Sequence, residues 1–308
     1  MIARPRPKHL RARPALFLAL GMQALGMLAL GCDRDRFTRP ERLGGVLVPA
    51  EVLNQGRTVY RRYCVGCHGL AGDGQGPTAS SMVPPPRDFR SGSFKFSGVP
   101  GGRLPVDSDL LRTLRHGLRG THMPAFSSMP GADAEAVVQY LKTFSPRWRV
   151  ERPGKPVPVP PDPFVAGRRE EAVQRGDLVY HVVAQCWACH PAYVSRARMQ
   201  EMAAIEAQRA GKKPKPLPFR SDLRRSITVT TRHGKLLPPD FLGDTLRAAD
   251  DQREIYRTVA AGIGGTPMPS WYRELAPADL WAVVHYVSEL LRIKGTPEAE
   301  TLRERAGH

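Results

Sequence analysis

Five consecutive residues carry the first recognisable chemistry in this sequence: Cys64-Val65-Gly66-Cys67-His68. The arrangement returns as Cys186-Trp187-Ala188-Cys189-His190. A Cys-x-x-Cys pair alone suits a thioredoxin-like disulfide, and four cysteines brought together suit zinc. Neither use asks for a histidine directly after each pair. Covalent haem attachment does, because two thiols add to the two vinyl groups of one porphyrin and the adjacent imidazole reaches the iron. The chain has five cysteines. Four lie in the motifs and the fifth is Cys32, which leaves none for a separate disulfide or a further thiolate ligand. The expected cofactors are therefore two haem c groups, covalently attached through Cys64, Cys67, Cys186 and Cys189. His68 and His190 are the expected iron ligands on one side.

The elements that must position these motifs are legible as an internal repeat. Gly56 and Tyr60 precede the first motif, and Gly176 and Tyr180 precede the second, each pair one helical turn apart. Asp88-Phe89 aligns with Asp240-Phe241 after a proline-rich run. Further on, "GLRGTHMPAF" (117–126) matches "GIGGTPMPSW" (262–271). Each half closes on an apolar segment with helical spacing, "AVVQYLKTF" (136–144) and "WAVVHYVSELL" (281–291).

On these motifs the chain resembles the class I cytochromes c, repeated in tandem over most of residues 50–147 and 169–293. The resemblance implies an all-α fold of two small helical domains, each around one haem. It implies that the first and last helices of each half cross, with Gly56 or Gly176 admitting Tyr140 or Tyr286. Glycine costs about 1 kcal/mol in a helix interior, so its placement twice at the same point favours a packing role. The iron's other face falls to Met123 and Met268, which share the GxxGTxMP frame. A thioether is a soft ligand that raises the reduction potential. Met129, His122, Met199, Met202 and His233 are rivals; Met199, Met202 and Ile205 share one face of a helix. Gly76-Pro77 resembles the family's Gly-Pro, whose proline carbonyl accepts the proximal histidine's second N–H. The second half has no comparable Gly-Pro, which implies a differently supported His190 and unequal potentials. "GDGQG" is not a dinucleotide fingerprint, since it lacks the spacing and the preceding strand.

The domain plan follows from composition. Residues 1–31 read as a lipoprotein-like signal peptide, with Arg4, Arg6, Lys8, Arg11 and Arg13 before an apolar run ending Ala29-Leu30-Gly31-Cys32. The alternative is an uncleaved membrane anchor. Both predict an exported chain on the periplasmic side of a bacterial membrane, with lipidation expected at Cys32. Residues 32–49 read as a tether, 50–147 as domain 1, 148–168 as a linker with six prolines. Residues 169–294 read as domain 2 and 295–308 as a C-terminal tail. His190 and Met268 are 78 residues apart against 55 for His68 and Met123, and the excess is placed in an insertion at 192–236.

The formal net charge is +17, and the insertion carries eleven Lys/Arg against three Asp/Glu. Three uses compete for it: docking an acidic redox partner, contact with anionic headgroups, or a solvated loop. Nothing here makes a case for nucleic acid. The resemblance implies an electron carrier rather than an enzyme, between a membrane-associated donor and a terminal oxidase or reductase. The rivals are a dihaem enzyme with one open haem, peroxidase-like or acting on small sulfur compounds, and a wiring subunit of a larger respiratory complex.

Overall fold

The computed structural model describes residues 36–165, 167–231, 234–248 and 251–306. The signal peptide, Cys32 and His233 lie outside the described residues. Among the described residues no helix is long and apolar enough to cross a membrane.

The fold is helical, with two short antiparallel hairpins. In the first half α1 (Ala50–Tyr63) enters the first motif, whose last four residues form the single turn α2 (Val65–His68). Glu51 in the first turn of α1 and Arg61 and Arg62 in the last complement its dipole. α3 (Asp107–His116) and α4 (Gly131–Lys142) follow, then α5 (Arg147–Val150). In the second half α6 (Arg169–Leu178) leads to the second motif. It is followed by α7 (Arg196–Arg209), α8 (Gln252–Ala261), α9 (Pro277–Ile293) and α10 (Pro297–Arg305). Side chains of Ser195, Asp251 and Thr296 accept backbone N–H groups at the starts of α7, α8 and α10.

Two crossings set the architecture. α1 packs on α4 and α6 on α9, and in each the glycine is the point of closest approach. A β-carbon on Gly56 would stand 2.1 Å from the Ala136 carbonyl oxygen, and one on Gly176 would stand 2.1 Å from that of Ala282. The aromatic contacts repeat as well: Tyr60–Tyr140 ring centroids lie 5.4 Å apart and Tyr180–Tyr286 5.5 Å. The sequence assigned these glycines to helix packing, and backbone contact is the physical reason.

The halves do not repeat everywhere. Four residues separate Tyr60 from Cys64 but six separate Tyr180 from Cys186. The extra length is taken up by a π-helical turn over Val179–Val183 and by Gln185 at φ 50°. That turn buries His181 completely, where Tyr193 N–H donates to its Nε2 at 3.1 Å.

Several stretches that read as connections are folded. Within 32–49, β1 (Glu41–Leu43) pairs with β2 (Val46–Val48), and Gly44 N–H donates to the Trp148 carbonyl at 2.6 Å. Of the proline-rich stretch read as a linker, 148–150 close α5, and residues 151–165 form no helix or strand but are pinned on both sides. Gly154 and Val157 N–H groups donate to the carbonyls of Leu104 and Gly98, while Trp281 Nε1 donates to the Pro160 carbonyl and His285 pairs with Asp162. Residues 295–306 hold α10, whose Arg303 reaches Asp240 at 3.0 Å.

The halves meet through related contacts. Arg119 N–H donates to the Arg247 carbonyl at 2.9 Å, and Gly264 N–H donates to the Lys95 carbonyl at 3.1 Å. Arg119 and Gly264 occupy the same place in the two methionine loops, and Lys95 and Arg247 each follow their Asp-Phe pair by the same interval. Arg112 of α3 also bridges to Glu254 of α8 at 3.1 Å. The contact is thus nearly self-complementary, as in a two-fold dimer.

Candidate haem-binding sites

Each Cys-x-x-Cys-His motif caps the end of a helix whose aromatic residue anchors it. Tyr60 Oη donates to the Gly69 carbonyl at 2.7 Å, directly after the first motif. Tyr180 Oη donates to the Pro191 carbonyl at 2.8 Å, directly after the second. The histidines are equally fixed. His68 Nδ1 meets the Arg87 carbonyl at 3.1 Å, and His190 Nδ1 meets the Pro239 carbonyl at 2.9 Å. A carbonyl only accepts, so Nδ1 carries the proton in both rings and the Nε2 lone pair is available to a metal. Burial pushes both imidazoles below their ordinary pKa of 6.5, which keeps them neutral. Phe89 stacks on His68 with centroids 4.5 Å apart, and Phe241 stacks on His190 at 5.0 Å.

This geometry corrects one expectation. The carbonyl that fixes His68 belongs to Arg87, not Pro77, and His190 has its counterpart in Pro239. Arg87 and Pro239 immediately precede the repeated Asp-Phe pairs, so a single turn supplies both the acceptor and the stacking ring. The signal was present in the sequence as the aligned Asp88-Phe89 and Asp240-Phe241. The acceptor is a main-chain atom, so residue identity could not reveal it. At Nδ1 the two imidazoles therefore have matching support.

The thiols argue against disulfide exchange. Burial pushes both Cys64 and Cys186 up to about 12. Reactive oxidoreductase thiols are shifted the other way. None of the four motif cysteines is in a disulfide. Cys64 packs in the first half's core cluster and Cys186 against the second's, so the four sulfurs sit in two separate sites.

The methionine loops are built alike. Leu118 N–H donates to the Met123 carbonyl at 3.0 Å, and Ile263 N–H to that of Met268 at 3.3 Å. Thr121 and Thr266 hydroxyls accept from the Met123 and Met268 N–H groups at 3.1 and 3.2 Å. Gly117 at φ +65° and Gly262 at φ +75° open the two loops in backbone shapes that favour glycine. Met123 and its rival Met129 are both partly buried against the first core, whereas His122 is exposed. Met199 and Met202 are buried on α7 as side chains of a helix face, while Ile205 is 41% exposed.

The donor set fits a covalently bound haem: two thiols, an oriented neutral imidazole and a soft thioether on a tight loop, in each half. Such a group, when bound, supplies one-electron iron chemistry. Sequence reasoning missed Arg220, which lies in the insertion and has no counterpart in the first half. Its guanidinium donates to the carbonyls of Trp187 and His190 within the second motif.

Residues 51–141 match the family described as cytochrome c oxidase, cbb3-type, subunit III. Among solved structures, the chain is similar to one from the Kuenenia stuttgartiensis reducing HAO-like protein complex. That match has 28% sequence identity and a TM-score of 0.62, and covers 77% of this chain and 96% of that one. No curated protein sequence matches. Together with the helical fold, these likenesses support a c-type cytochrome with covalently bound haem c.

Proposed function

We propose that the chain is a dihaem c-type cytochrome that carries single electrons between redox proteins. The observation behind this reading is the duplicated constellation around His68 and His190. Carbonyl anchor, stacked phenylalanine, tyrosine strut, helix-crossing glycine and methionine loop occur once in each half. Cys64, Cys67 and His68 would hold one haem with Met123, and Cys186, Cys189 and His190 the other with Met268. The polypeptide's part is to keep each imidazole neutral and aimed, and to bring both sites into one compact body. The apolar N-terminal run ending at Cys32 supports export and a lipid anchor on the periplasmic side of the membrane.

Intact mass of the exported protein tests this directly. Two haem increments are expected. Cys64→Ala with Cys67→Ala should remove one increment, and the corresponding change at Cys186 and Cys189 the other. A single increment in the parent protein would sink the two-haem reading.

A second reading, as a wiring subunit of a larger redox assembly, is favoured by the likeness to a chain from a multi-protein HAO-like complex. Co-purification of a stable partner after detergent extraction would select it over a free carrier.

A further inference from the structure

The second-cysteine and histidine carbonyls of both motifs accept hydrogen bonds from outside the motif, but from different donors. In the first half the donors are neutral. Gly74 N–H donates to the His68 carbonyl at 3.0 Å and Gly76 N–H to the Cys67 carbonyl at 3.0 Å. Thr78 donates to the Gly66 carbonyl through its N–H at 3.0 Å and its hydroxyl at 2.8 Å. The loop that does this, residues 69–78, has no equivalent after His190.

The insertion takes over that work. Ile227 N–H donates to the Cys189 carbonyl at 3.0 Å, in the place of Gly76. Arg220 donates from Nε to the Trp187 carbonyl at 2.8 Å and from Nη2 to the His190 carbonyl at 2.7 Å, in the place of Gly74. Nη2 also donates to the Arg225 carbonyl at 2.6 Å. Arg196 of α7 holds the backbone beneath it by donating to the carbonyls of Arg220 and Ser221. Trp187 is 2% exposed and packs with Phe219 and Leu223 in a small core belonging to the insertion. The insertion is therefore a folded clasp on the second motif.

The clasp puts a permanent positive charge directly on the motif's carbonyls, where the first half's loop uses neutral donors and carries Asp73, with the cation Arg87 near His68. Arginine stays protonated at any working pH. Among the described residues no carboxylate lies within ion-pair distance of Arg220; Asp222 attracts it from further off and accepts from Arg224 N–H. Reduction of a haem iron adds one electron, so a fixed cation beside the site favours the reduced state. We infer that Arg220 is a positioning residue that clamps the second Cys-x-x-Cys-His motif and, through its charge, raises the reduction potential of that haem alone. The inference rests on the two-haem reading above.

The test is a spectroelectrochemical titration of the haem-loaded full chain, comparing the parent with Arg220→Lys, Arg220→Gln and Arg220→Met. The parent should give two one-electron waves. Gln, which keeps an N–H donor without charge, and Met should each lower one midpoint and leave the other in place. Lys, which keeps the charge, should hold that midpoint near the parent value. If Met fails to load haem, Gln against Lys still separates charge from hydrogen bonding. Two waves that ignore Arg220→Gln would overturn the role of the charge. An equal fall in Lys and Gln would overturn it too, by assigning the effect to the lost fork. A parent whose intact mass shows one haem increment would mean that the two-haem reading had failed, and the inference with it; two increments with a single wave that Arg220→Gln leaves whole would overturn the inference alone.

Discussion

Gly56 of α1 touches Ala136 of α4 so closely that no side chain fits between them: a β-carbon would stand 2.1 Å from the Ala136 carbonyl oxygen and 2.8 Å from Tyr140 Cβ. Gly176 repeats this against Ala282 and Tyr286. The obstruction is main chain, so it cannot rotate aside. Gly56→Ala and Gly176→Ala should each destabilise the protein by about 3 kcal/mol, the upper end for overpacking. Denaturant unfolding would show it, and an unchanged midpoint would mean the helices can separate at little cost.

Gly264 makes the corresponding approach between halves. Its N–H donates to the Lys95 carbonyl, and a β-carbon there would lie 2.2 Å from the Phe94 carbonyl oxygen. Gly264→Ala should loosen the contact between the halves, at a cost of about 2 kcal/mol. Hydrogen exchange at the Gly264 and Arg119 amides should speed up together, because both bonds belong to one interface. Faster exchange at Gly264 alone would show that the two contacts are independent.

Met123 and Met268 sit on matching loops, each held by a threonine hydroxyl. Removing the thioether should open one iron face at a time. Met123→Ala and Met268→Ala are each expected to yield one carbon-monoxide-binding haem and to lower its potential. The parent should bind no carbon monoxide. If the parent binds it, one site is already open, and an enzyme of the peroxidase kind becomes the better description.

The proximal histidines predict the direction of pH dependence. Burial lowers the pKa of His68 and His190 in the folded chain below the ordinary 6.5. Between the folded values and 6.5 the unfolded chain binds more protons, so folding stability falls as pH drops through this window. Iron ligation by the same nitrogens would act in the same direction, since a ligand must be deprotonated. Urea midpoints measured above and below pH 6.5 check the sign; a rise in stability on acidification would contradict it.

The sequence alone determined what depends on residue type and local period. Two Cys-x-x-Cys-His runs, the glycine one turn before each tyrosine and the twin GxxGTxMP segments set out a repeated helical fold before any contact was known. Tertiary structure decided whatever depends on main-chain atoms from distant segments. The acceptor for His68 is the Arg87 carbonyl, an atom every residue possesses, so no side chain advertised it. The clasp of Arg220 on the His190 carbonyl joins residues thirty apart across an insertion without a repeat partner. Composition showed that segment only as a run of positive charge. Charge runs are usually solvated because exposure is the cheaper state for a cation. Arg220 departs from that rule because the second motif offers carbonyls that no neighbouring backbone amide reaches.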